Sequence, residues 1–337
     1  MALLYRNNLD IKVVGITGSV GKTSTKETIS YVLNKKYKVL KTEGNFNNEI
    51  GLPLTVFRLR DDDEVAVLEM GISDFGEMDR LSKIAQPDIS VITNIGLCHL
   101  ENLKTRDGIL KAKTEIFNNM KPDGIAILNG DDDKLITVDE VNGKKPERFG
   151  INYKDGVYAK DIENLGLSGT KFVISGLNCV DGCKDFEVTV PVPGHHMIYN
   201  ALAAACVGAA LELTSAQIAD GITDLKTISG RNNIIKTSKY TLIDDCYNAN
   251  PVSMKASVDV LDMAIGRKVC ILGNMYELGE NEKNLHYDVG QYIGTKNIDV
   301  LITIGDLARH IAMGTDDYME THFGHMIVRY TALMIWK

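Results

Sequence analysis

Gly15-Ile16-Thr17-Gly18-Ser19-Val20-Gly21-Lys22-Thr23-Ser24 is the stretch on which the fold turns. It follows an apolar, largely β-branched run from Ile11 to Ile16. It precedes a pattern in which Ile29, Val32 and Leu33 recur at i, i+3 and i+4, one face of a helix. A strand that passes through glycines into a helix offers an anion free backbone N–H groups and the positive end of the helix dipole. Lys22 has the reach for outer phosphates, and the Thr23 hydroxyl is a Mg²⁺ ligand by type. The spacing is the short form T-G-x-x-G-K-T, with Ile16 where the commoner loop has glycine. Gly18, Ser19, Gly21, Lys22, Thr23 and Ser24 therefore predict a loop that binds a nucleoside triphosphate.

Outward from this loop, short apolar runs alternate with helical patterns, which predicts an α/β fold on a parallel sheet. Strands are expected at Ile11–Ile16, Val65–Glu69, Ile89–Thr93 and Ile125–Leu128. Val157–Ala159, Lys171–Ile174 and Phe186–Val190 lie between glycine-rich turns and predict a small antiparallel sheet inserted in the first domain. A helix is expected from His196 through Ala205 and another from Ser215, taken as its N-cap, to about Leu225. Ile228-Ser229-Gly230-Arg231 has the composition of a connector. Beyond it a second α/β pattern runs through a strand at Tyr240–Asp244, a helix from Pro251, a strand at Val269–Leu272, a helix around 284–294 and a strand at Val300–Ile304. The expected domains are 1–228, a P-loop-type parallel-sheet ATPase domain, and 229–337, an incomplete Rossmann-like α/β domain.

Composition limits the alternatives. The 337 residues suffice for two domains, and 44% hydrophobic with 24% charged residues is the balance of a soluble globular protein. A net charge of −8 argues against broad nucleic-acid binding. No leader or membrane span is legible, and the six scattered cysteines (Cys98, Cys179, Cys183, Cys206, Cys246, Cys270) suit a reducing cytoplasm better than a disulfide or zinc framework. The acidic runs at 61–64 and 131–133 are expected to be solvated loops.

Thr17, Glu69, Asn94 and Asn129 each sit at or just after the carboxyl end of an expected strand, the edge where open parallel sheets bind ligands. Glu69 beside a P-loop suits Mg²⁺. His99, after a strand end in a glycine-containing loop, suits a metal or a phosphate. Lys113, by its pattern alone, is a helix-surface lysine. Arg231 is placed to neutralise a transferring phosphoryl group, and Asp245 to hold a ribose or a metal-bound water. Asn248, Asn250 and Pro251 form a turn and a helix start by their own chemistry.

Together these runs resemble the Mur ligase family, the ATP-dependent amide-forming enzymes of peptidoglycan precursor synthesis. The resemblance is carried by Gly15–Ser24, Asn45–Pro53, Leu68–Gly71, Asn94–Glu101, Ala112–Glu115, Pro193–Ala201 and Ser229–Arg231, and covers about residues 2–314. Asp244–Met254 and Gly273–Glu280 resemble the branch that adds D-alanyl-D-alanine to UDP-N-acetylmuramoyl-tripeptide. The resemblance implies that ATP phosphorylates the tripeptide carboxylate and that the dipeptide amine then attacks the acyl phosphate. It implies that Lys22 and two Mg²⁺ ions neutralise the anions, one ion on Thr23 and Glu69, the other on His99 and a CO₂-derived carbamate on Lys113. Asn200 would contact adenine, and Arg231 and Asp245 phosphate and ribose. Tyr247, Asn248 and Asn250 would shape the nucleotide side of the cleft, and Asn47 and Asn48 the acyl-substrate side. A hinge near 228 would close the domains over ATP. A full-length member is expected to be a monomer.

Two departures stand out. The family's N-terminal UDP-sugar domain is not matched, since Ile11 already begins the P-loop strand, and the tail at 315–337 matches no family motif. Asn274 stands where the family usually has Asp. These departures leave open a remnant that binds or hydrolyses ATP without ligating, or a related ligase acting on another carboxylic acid.

Overall fold

The structure, a computed structural model, describes residues 1–323 and 329–332. The first part of the chain forms α1 (Ala2–Asn7), β1 (Lys12–Thr17), α2 (Lys22–Leu33), β2 (Val39–Lys41), α3 (Gly51–Val56), β3 (Val65–Glu69), α4 (Glu77–Ala85), β4 (Ile89–Ile92), α5 (Leu100–Leu103), α6 (Arg106–Thr114) and β5 (Ile125–Asn129). It continues through β6 (Glu147–Gly150), β7 (Val157–Asn164), β8 (Thr170–Ser175), β9 (Asp185–Val190), α7 (His196–Ala210) and α8 (Ser215–Thr223). The second part holds β10 (Asn233–Lys236), β11 (Thr241–Asp244), α9 (Pro251–Asp262), β12 (Val269–Leu272), α10 (Glu282–Gly294), β13 (Val300–Ile304), α11 (Arg309–Phe323) and β14 (Arg329–Ala332).

One sheet of nine strands, ordered β2-β3-β1-β4-β5-β6-β7-β8-β9, organises the first part. It is parallel from β2 to β7 and antiparallel from β7 to β9. The strands with the antiparallel pattern are present, but they extend the edge of the parallel sheet instead of forming a sheet of their own. Phe149 and Gly150 of β6 pair with Val157 and Tyr158 of β7, which makes the sheet continuous.

Side chains alternate between two faces, as the period of two requires. Val14, Ile16, Val65 and Val67 pack into a core with α2, α7 and α8. Val13, Ala66, Leu68 and Ile92 pack into another with α3, α4 and α6. Residues Ala201–Gly208 of α7 are buried without a break. A helix apolar all round is an interior helix, and here it packs on β5, β6 and β7 with α2 and α8 alongside. Gly208 and Gly221 set how closely these helices approach. A Cβ on Gly221 would come within 2.4 Å of the Val32 Cα.

Some boundaries differ from expectation for local reasons. The cap of α8 is Thr214, not Ser215: its hydroxyl accepts the Gln217 N–H while the Gln217 side chain accepts the Thr214 N–H. The strand at Thr241–Asp244 pairs antiparallel with β10 in a two-stranded ribbon, apart from the parallel β12-β13-β14 sheet. The tail at 315–337 begins inside α11. Its residues 324–328 and 333–337 lie outside the described residues. Among the described residues no helix is long and apolar enough to cross a membrane.

The close approach of α8 to α2 makes a prediction with an inverted sign. Gly→Ala inside a helix ordinarily stabilises by about 0.5–1 kcal/mol. At Gly221 the new methyl meets backbone, so Gly221→Ala is expected to destabilise by about 1–3 kcal/mol. Urea denaturation checks it: the midpoint should fall with the slope unchanged, and a rise would refute the close helix contact.

Candidate active site

Strand β1 lies between β3 and β4, so the chain leaves β1 toward one side of the sheet and later returns on the other. Loops diverge at such a switch point and open a crevice at the carboxyl ends of the strands. The glycine-rich loop runs from β1 directly into α2 at this place. Gly18 (φ 148°) and Gly21 (φ 84°) adopt backbone angles that side chains rarely take. A Cβ on Gly18 would also meet the Thr93 hydroxyl at 1.9 Å. The end of β4 clamps the loop. Asn94 accepts the Val20 N–H (3.0 Å) and donates to the Val20 carbonyl (2.9 Å), and Thr93 Oγ1 donates to the same carbonyl (2.6 Å). Ser19 is tied to the same stretch through Asn94 and Gly96. Lys22 folds over the loop, its Nζ donating to the Gly18 carbonyl at 2.9 Å.

An acidic and basic cluster stands beside the first turn of α2. Glu69 is 2% exposed. Its Oε1 accepts from Thr23 Oγ1 (3.2 Å) and Asn47 Nδ2 (2.9 Å). Its Oε2 is buried with no hydrogen-bond partner, and the nearest cation, Lys26 Nζ, stands at 3.6 Å. A buried carboxylate oxygen without a donor is costly, and with the Thr23 hydroxyl beside it the set is all hard oxygen, which fits Mg²⁺. Lys26 is itself 1% exposed and also pairs with Glu27. Sequence reasoning passed over it, though it lies three residues after Thr23 and so on the same helix face.

Lys113 is the largest correction. Its pattern put it on a helix surface, yet it is 0% exposed. Burial, with the charge of Lys22 acting the same way against the opposing influence of Cys98, pushes its amine down to about 8. His99 caps α5 in the left-handed conformation (φ 50°), and its Nδ1 lies 2.7 Å from Glu277 Oε2 of the second part. Burial first, then the charge of Lys113, lowers its pKa against the pull of Glu277, so the ring is neutral at neutral pH. Lys22, His99 and Lys113 thus sense one another electrostatically. None of these contacts is legible from local sequence.

On the other side of the loop a cavity of about 350 Å³ opens between the two parts. Gly21, Ser24, Asn200, Arg231 and Asp245 line it. Asn200 Oδ1 accepts from Thr25 Oγ1 at 2.9 Å, which fixes it next to the loop. Arg231 stacks on the Tyr247 ring (4.2 Å to its centre) and reaches across to Thr23 Oγ1 at 3.4 Å. Asp245 accepts from the Asn232 N–H and the Ser257 hydroxyl. Asn232 also lies 3.1 Å from His196 Nε2, a further contact between the two parts that no sequence signal marked.

Other candidates have local duties. Asn250 caps α9 through the Val252 and Ser253 N–H groups. Asn248 accepts from the Ala249 N–H, and neither asparagine lines the cavity. Asn48 accepts the Ile50 and Gly51 N–H groups at the start of α3, and Asn47 holds Glu69. The 131–133 run is not a solvated loop. Asp131 accepts the N–H groups of Ile151, Asn152 and Tyr153 and the Tyr199 hydroxyl. Asp132 accepts the Ile95 N–H, and Asp133 pairs with Arg106. The run pins the strand ends around the cleft.

Residues 16–208 match the Mur ligase middle domain, and residues 230–327 match the Mur ligase glutamate ligase domain. The UDP-N-acetylmuramoyl-tripeptide--D-alanyl-D-alanine ligase of Bacillus subtilis (strain 168) is 40% identical over 323 residues, covering 95% of this chain and 68% of that protein. A crystal structure of MurF from Acinetobacter baumannii superposes with a TM-score of 0.86 at 32% identity, covering 98% of this chain and 75% of that one. The structure of MurF ligase from Thermotoga maritima in complex with ADP gives 0.82 at 30% identity, covering 98% and 78%.

The clamp on Val20 is expected to set nucleotide affinity. Asn94→Ala removes both side-chain hydrogen bonds to Val20, a loss of about 1–3 kcal/mol, or roughly 5- to 150-fold in the Kd for MgATP. Titration calorimetry measures it, and an unchanged Kd would show that the loop holds its shape without Asn94.

Proposed function

The chain belongs to the Mur ligase family, and on that premise we propose that it joins D-alanyl-D-alanine to UDP-N-acetylmuramoyl-tripeptide, with ATP as the phosphoryl donor, in the cytoplasm. The similar ligases and the ADP complex support the reaction and the nucleotide. The observation that carries the reading is the convergence on the Thr23 hydroxyl, which Glu69 approaches from one part of the chain and Arg231 from the other. Such an arrangement suits a reaction that must bring two anions, a carboxylate and a γ-phosphate, into contact.

In the first half-reaction a carboxylate oxygen of the tripeptide attacks the γ-phosphorus and ADP leaves. In the second, the dipeptide amine attacks the acyl carbon and loses its proton, and inorganic phosphate leaves. Lys22 trades its own loop carbonyls for phosphate oxygens. Arg231, held flat against Tyr247, adds a fixed positive charge from the far wall. Asn200 and Asp245 face the rest of the nucleotide in the cavity, and the connector at Ile228–Arg231 serves as the hinge. Thr23 and Glu69 are the residues to hold one Mg²⁺. His99 and Lys113 are those to hold a second, Lys113 as a carbamate, because an amine is no ligand for so hard an ion. When bound, these ions supply charge neutralisation between the reacting anions. With its amine pushed down to about 8, Lys113 is neutral in about one molecule in ten at pH 7, and a neutral amine is the form that adds to CO₂.

Purified chain with Mg²⁺, bicarbonate and ATP should release ADP only when both peptidoglycan substrates are present, with the pentapeptide product visible by mass spectrometry. Glu69→Gln and Lys113→Ala should each lower kcat by about 10²–10³. Release without the substrates, or bound ATP without release, would instead favour a nucleotide-binding remnant.

A further inference from the structure

Met275 and Leu278 are buried in the core of the second part, and Leu97 of the first part packs against that core. Between them the loop from Gly273 to Gly279 meets the loop that carries His99. The side-chain contact is Glu277 Oε2 to His99 Nδ1 at 2.7 Å. Both residues sit in the left-handed region, His99 at φ 50° and Glu277 at φ 61°. Histidine tolerates that region better than most side chains, whereas glutamate has no such leniency, and strain of this kind persists only where the surroundings enforce it.

The loop is held from behind. The Met275 N–H donates to His286 Nε2 at 2.9 Å, and His286 Nδ1 is fixed by the Glu282 carbonyl. Asn274 accepts the N–H groups of Leu307 and Ala308, so the Asn that replaces the family's usual Asp still serves as an acceptor here. Glu277 is thus presented on a rigid support, although its side chain is 59% exposed and carries no core packing.

We propose that Glu277 is a positioning residue that acts through His99 across the domain boundary. By accepting the Nδ1 proton, it fixes the tautomer that leaves the Nε2 lone pair free to bind a metal. A carboxylate behind a ligating histidine is the usual means of orienting the ring and raising its basicity. Here the carboxylate comes from the other domain, so the histidine is prepared as a ligand only when the two domains meet. Metal binding and domain closure are then coupled, and an open enzyme binds its second metal ion more weakly. The proposal rests on the ligase reading above for the metal, but its first test does not.

That test uses the whole metal-free chain, labelled with ¹⁵N-histidine, as wild type, Glu277→Ala and Glu277→Gln. In wild type the His99 proton resides on Nδ1. In Glu277→Ala it moves to Nε2, the position a free neutral imidazole favours. In Glu277→Gln it stays on Nδ1, because the amide oxygen still accepts. The second measurement is the Mg²⁺ concentration for half-maximal ligation. It rises roughly 10- to 100-fold in Glu277→Ala, with the KM for ATP within about twofold of wild type, and recovers substantially in Glu277→Gln. An Nδ1 proton retained in Glu277→Ala overturns the proposal, and so does a shifted proton with an unchanged Mg²⁺ requirement. A wild-type chain that fails to ligate sinks the ligase reading, while the nitrogen assignment still decides what Glu277 does to His99.

Discussion

The clamp of β4 on the glycine-rich loop is the constraint on which the rest of the cleft depends. A loop that must point several N–H groups at one place has few left to hold itself, since its other donors are reserved for the ligand. It is held through its acceptors and through the N–H groups of Ser19 and Val20 instead. Thr93 and Asn94 take the Val20 carbonyl, and Asn94 takes the Val20 N–H. This solution needs β4 beside β1, which the strand order provides. The strand on the other flank, β3, brings Glu69 to the first turn of α2 by the same logic.

The second theme is buried charge. Lys26, Glu69 and Lys113 are all at most 2% exposed. Isolated charges in such places are costly, so they stay paired, lose their charge or await a ligand. Lys26 and Glu69 are paired, but one Glu69 oxygen has no donor. Lys113 has no carboxylate within 4 Å among the described residues, and its amine is pushed toward neutrality. Lys26 and Glu69 stand beside the first turn of α2, and Lys113 senses the charge of Lys22 at the start of the same helix.

The two parts of the chain divide the labour. The first supplies the phosphate loop and the candidate metal ligands. The second supplies Arg231, Asp245 and Glu277, each reaching the first part or the cavity between them. Arg231 and Thr23 stand 208 positions apart along the chain, yet their side chains meet. Beside the packing of Leu97, polar pairs join the two parts: Arg231 to Thr23, Glu277 to His99 and Asn232 to His196.

Sequence alone determined the local grammar of this protein. The P-loop, the alternation that made β1, β3, β4 and β5 strands, the carboxyl-edge positions of Thr17, Glu69, Asn94 and Asn129, and the family itself were all legible, because each rests on residue types at short, fixed spacing. Tertiary structure decided the rest. It buried Lys113 where a helical pattern put it in solvent, joined β7–β9 to the edge of the main sheet, turned the 131–133 run into a structural pin, and set Glu277 against His99. Burial, pKa and partnership depend on what the rest of the chain brings near a side chain. That depends on the packing of helices and on how two domains meet, and no local pattern records either.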